Sequence, residues 1–182
     1  TRLAGQHAQT PSDRIAVYMS AVEAYPNGPH APGILVRIAR EYVDLGDWAG
    51  ATEACEKALR AKPNQRTASE ALRMITQIHR ERGDLASAAE TALRWAAVAD
   101  VRQRFRALSA RFEILVEMGR ADEAREAARA TLEAIDAFRR EADAPDTVRT
   151  AGTDTPLLRQ ADDAAERIRG FLARNPDAPA RK

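Results

Sequence analysis

The side chains best suited to nucleophilic, metal or proton-transfer chemistry are few in this 182-residue chain: His7, His30, His79 and Cys55. His7 lies in a polar, aperiodic start, His30 in a turn-forming run, and His79 in a helical pattern, where it takes the place of a packing aromatic. None belongs to a metal-ligand spacing such as H-E-x-x-H, and no phosphate-cradling glycine loop or nucleophile elbow is present. A single cysteine forms neither an internal disulfide nor a cysteine zinc cage. Cys55 falls on the apolar face of a helix, where a thiol behaves as a small, inert packing residue. The carboxylate neighbours Asp122–Glu123 and Asp162–Asp163 are adjacent on helices and so do not point at each other. These residues predict no catalytic centre, no metal and no cofactor, and hence a chain that is not an enzyme.

Composition narrows the alternatives. Basic and acidic residues nearly balance, 28 against 27, without the basic excess of a nucleic-acid binder. No run of apolar residues is long enough to span a membrane. The first residue, Thr1, reads as the start of an excised or processed segment of a longer protein. Alanine fills 39 positions and aromatics make up 5%. A core of such small side chains favours helices packed closely together.

The helices that must position any site are legible in order. Thr10–Pro11 is a start signal, a threonine cap followed by proline at the first helical position. Apolar residues at helical spacing run through Ile15–Val22, Ile34–Leu45, Ala51–Leu59 and Ala71–Ile78. They continue through Leu85–Ala96, Phe105–Leu115, Ala121–Phe138 and Leu157–Leu172. Eight helices and no strand are expected. Residues 1–9 are read as a disordered start, 143–156 as a linker loop, 157–174 as a terminal capping helix and 175–182 as a disordered tail.

Within residues 10–142 the pattern repeats. Gly46, Gly83 and Gly119 are spaced by 37 and 36 residues, a period of the kind that marks stacked repeats. Eleven residues before each glycine stands Leu35, Leu72 or Leu108; five after stands Ala51, Ala88 or Ala124; nine after stands Cys55, Ala92 or Ala128. Eight before stand Ile38, Ile75 and Arg111, so the third copy departs there. Glycine permits the sharp reversal between helices, and the small residue five positions on lets the two backbones approach. One such hairpin cannot bury both faces and needs neighbours.

The segment from Ile34 to Pro63 resembles a tetratricopeptide repeat, with Leu35, Ile38, Ala39, Tyr42, Gly46, Ala51, Ala58 and Pro63 at that family's positions. Cys55 stands where the family carries a bulky aromatic, and the second and third copies keep less of the pattern. The resemblance covers about residues 10–138, as three repeats with a preceding helix. It implies an all-α fold, a right-handed α-α superhelix of stacked antiparallel helix pairs. It also implies a scaffold for protein–protein interaction, in which the first helix of each pair lines a concave groove. Carried over, Arg40, Arg73, Gln77, Arg80, Arg106 and Ser109 would line that groove.

Guanidinium groups form paired hydrogen bonds with carboxylates, so the expected ligand is an acidic or C-terminal segment of a protein or peptide. The lysine and asparagine clamp of the family's chaperone-tail binders is absent. Residues 60–111 hold 11 basic and 5 acidic side chains, and residues 112–166 hold 7 and 14. Such asymmetry steers charged partners or favours head-to-tail self-association. A sensor domain that controls an attached effector is the remaining alternative.

Overall fold

The computed structural model describes residues 10–142 and 154–176, which form eight helices and no strand. The expectations for residues 1–9 and 177–182, and for all but the last three positions of 143–156, concern positions outside the described residues. The chain divides into two compact units, residues 1–84 and 85–182.

The first unit holds α1 (Pro11–Ala24), α2 (Ala31–Asp44), α3 (Trp48–Arg60) and α4 (Gln65–Glu81). The α1 start is a reciprocal cap. Thr10 Oγ1 accepts from the Asp13 amide at 3.2 Å, and the Thr10 amide donates to Asp13 Oδ2 at 3.3 Å. Asp47 caps α3 by accepting from the Gly50 amide at 2.9 Å, and Asn64 caps α4 by accepting from the Thr67 amide at 2.9 Å. Consecutive helices pack together, and α2 also touches α4. The core draws Leu35, Ile38 and Ala39 from α2, Ala54, Cys55 and Ala58 from α3, and Ala71, Met74 and Ile75 from α4. Ile15, Tyr18, Met19 and Val22 of α1 lie against it.

The second unit holds α5 (Leu85–Val98), α6 (Val101–Glu117), α7 (Ala121–Ala142) and α8 (Asp154–Arg174). Asp100 caps α6 through the Gln103 amide at 2.8 Å. Helix α6 packs on α5 and α7, α8 packs on α7, and α8 also touches α6. Two aromatic pairs carry bulk that the alanines lack. Phe105 stacks on Phe138 with centroids 5.3 Å apart, and Phe112 meets Phe171 edge to face at 5.1 Å. Helix α8 begins at Asp154, three residues ahead of the expected 157. Pro156 falls within its first turn, where the missing N–H leaves no intrahelical bond unmade.

The three glycines occupy the same kind of corner. Gly46, Gly83 and Gly119 have φ of 72°, 75° and 71°, the left-handed conformation that L side chains resist. Each closes its helix with the same two bonds. The glycine amide donates to Val43, Arg80 or Val116 oxygen at 3.0, 2.9 and 3.0 Å. The following amide donates to Tyr42, His79 or Leu115 oxygen at 2.9, 2.9 and 3.0 Å. Ala51, Ala88, Ala124, Cys55, Ala92 and Ala128 are all 0% exposed, so both small-residue positions are buried in all three copies. The fold is all-α and helical-repeat in kind.

Candidate functional site: the α2–α4 recess

Residues of α2 and α4, with Trp48 at the start of α3, enclose a recess of about 160 Å³ in the first unit. Val43, Trp48, Met74 and Ile78 give it an apolar floor, and Arg40, Arg73, Gln77 and Glu81 give it a polar rim. The helical repeat explains the rim: Arg73, Gln77 and Glu81 stand four residues apart on one face of α4.

Arg40 is already engaged, its guanidinium pairing with Glu70 across α2 and α4. Arg73 is half-buried and has no ion-pair or hydrogen-bond partner among the described residues. The recess therefore offers one uncommitted guanidinium beside an apolar floor.

Of the six residues expected to line a groove, Arg40, Arg73 and Gln77 share this recess. Arg80 is exposed on α4 and does not line it. Arg106 and Ser109 belong to the second unit. There they line a cavity of about 300 Å³ with Phe105, Glu113, Gln160, Asp163 and Arg167. Ser109 Oγ is buried there without a hydrogen-bond partner among the described residues. Sequence reasoning missed the floor residues Trp48 and Met74 and the counter-ion Glu70. Glu70 had a signal, standing three residues before Arg73 and so on the same face of α4.

The residues considered for chemistry are placed as follows. Cys55 is fully buried. Burial pushes its thiol up to about 12, with Glu56 and Glu70 adding to the effect, so it stays protonated and unreactive. His79 is partly buried, with Nδ1 3.4 Å from Asp84 Oδ2 at the Gly83 corner. Among the described residues no group of three or more His, Cys, Asp or Glu side chains is placed to hold a metal ion. None of the described helices is long and apolar enough to cross a membrane.

Helix pairs closed by equivalent glycine corners over buried small residues define a tetratricopeptide-like helical-repeat fold, and solved structures share it. The chain is similar to the protein MamA. One crystal structure of MamA matches at 17% identity and a TM-score of 0.55, covering 90% of each chain. A second matches at 20% identity and 0.55, covering 94% of this chain and 89% of the other. No family model matches the chain, and no curated protein matches it.

Proposed function

We propose that the chain is an interaction module that captures a segment of a protein partner in the α2–α4 recess. One large apolar side chain of the segment seats on Trp48, Met74 and Ile78, and a carboxylate meets Arg73. The observation that carries this reading is the half-buried Arg73, without a counter-ion among the described residues, beside an apolar floor. A guanidinium in that setting gains a charge-assisted bond on binding without breaking one of its own. The pairing of Arg40 with Glu70 limits the demand for negative charge, so the ligand is an apolar segment with a single acidic group rather than a polyacidic one.

The test is titration of the isotope-labelled chain with the peptide acetyl-Phe-Gly-Glu-Gly-Phe-amide, followed by amide NMR. Shifts should concentrate on Arg73 to Ile78, and Arg73→Glu should remove them. Equal affinity in the variant would sink the assignment.

The uneven charge along the chain supports a second reading, head-to-tail self-association. It requires light-scattering mass that rises with protein concentration and falls with added salt.

A further inference from the structure

Helical hydroxyls in this chain share one habit. Ser20, Thr52, Thr76 and Thr131 each donate to the carbonyl oxygen four residues back, at 2.7–3.0 Å. Ser109, on α6, does not. Its Oγ is buried and has no hydrogen-bond partner among the described residues. A buried hydroxyl in that state calls for an explanation, and the surroundings of Ser109 supply one.

Ser109 lines the cavity of about 300 Å³ between α6 and α8, a size at the lower end for small-molecule sites. On each helix the lining residues include positions i, i+3, i+4 and i+7, from Arg106 to Glu113 on α6 and from Gln160 to Arg167 on α8. The i+4 residue is alanine on both, Ala110 and Ala164, which keeps the middle open. Two of the lining charges satisfy each other, with Arg167 Nη1 3.1 Å from Glu113 Oε1. The other two stay apart. Arg106 and Asp163 line the same cavity without pairing, and neither has another ion-pair or hydrogen-bond partner among the described residues.

The cavity therefore has no net charge but holds two free charges of opposite sign. A simple cation is repelled by Arg106 and a simple anion by Asp163, whereas a zwitterion gains from both. Within a polypeptide segment the backbone amine and carboxylate are consumed in amide bonds, so the match is to a free molecule. A smaller niche of about 70 Å³ adjoins the cavity through Ser109 and Ala164, with the buried Phe112 and Ile168 as apolar walls. Its volume is less than half of the roughly 150 Å³ that holds a benzene ring, so it suits a few aliphatic carbons.

We propose that this cavity binds a free α-amino acid with a short aliphatic side chain, such as valine. The carboxylate meets the Arg106 guanidinium and takes the hydrogen bond that Ser109 Oγ otherwise lacks. The ammonium meets Asp163 on the facing helix, and the side chain enters the niche beside Phe112 and Ile168. This site is separate from the α2–α4 recess and uses none of its residues.

The experiment is titration of the full isotope-labelled chain with L-valine, followed by amide NMR. Shifts should concentrate on Arg106 to Glu113 and Gln160 to Ile168. Valinamide lacks the carboxylate and N-acetylvaline lacks the ammonium. Each should bind roughly fivefold more weakly than valine, the scale of an exposed ion pair. Arg106→Gln should erase valine's advantage over valinamide, and Asp163→Asn its advantage over N-acetylvaline. Ser109→Ala should weaken valine binding while raising the melting temperature, because it removes a buried polar atom without a partner, so that lost binding is separated from lost folding. The proposal is overturned if valine leaves these amides unmoved, or if either singly charged analogue binds as tightly as valine.

Discussion

The Arg14 guanidinium lies 2.6 Å from Glu41 Oε2 and ties α1 to α2. The hydrogen bond from Arg14, opposed by some burial, holds the Glu41 carboxyl below its ordinary range. A carboxylate whose pKa falls on folding stabilises the fold above its unfolded pKa. That contribution disappears as the pH drops through the folded value. Glu41→Gln should therefore lower thermal stability slightly at neutral pH and leave it unchanged in strong acid. A constant offset between the two proteins across an acid titration of melting temperature would contradict this.

The glycine corners carry a larger cost. Replacing Gly46, Gly83 or Gly119 with alanine forces an L side chain into the left-handed conformation, at roughly 1–2 kcal/mol each. No neighbouring atom lies within 4 Å of the added Cβ at any of the three, so the whole effect is backbone strain. Urea denaturation of the three variants should give losses of similar size.

Gly50 is demanded by crowding instead. A Cβ there would lie 2.6 Å from Asp47 Oδ2 and 3.0 Å from Tyr42 Cδ1. Gly50→Ala should displace the Asp47 cap and cost about 1 kcal/mol, despite alanine's better helix propensity. Asp47→Ala should cost a similar amount, and the double variant should lose less than the sum of the two.

Cys55 gives a direct reading of burial. Its thiol should resist alkylation at mildly alkaline pH in the folded chain and react fully in denaturant. Ala51→Leu, at an equally buried crossing, should overfill the interface, costing roughly 1–3 kcal/mol, and should speed labelling of Cys55 through increased opening.

The corners and crossings were legible in the sequence because each rests on a local demand that few residue types meet. A positive φ selects glycine, and two backbones in contact select alanine or cysteine. Thr10–Pro11 announced a helix start for the same kind of reason. The α8 start was displaced because Pro156 fits any position of a first turn, not only its opening one. The recess was only half legible. That Arg40, Arg73 and Gln77 face outward follows from helical spacing. That Arg40 is occupied by Glu70 depends on how α2 crosses α4, and crossing geometry leaves no mark at a fixed interval. The same reason hid Trp48 and Met74 as floor residues.

The uniform corners have one more consequence. Because a glycine and a pair of tiny inward residues specify each bend, the outward position six places earlier is under no steric instruction. It holds Arg40 in one copy, Gln77 in the next and Glu113 in the third. Positive, neutral and negative side chains thus hang from the same hinge, and a change of ligand preference can be written on the exterior without redrawing the skeleton beneath.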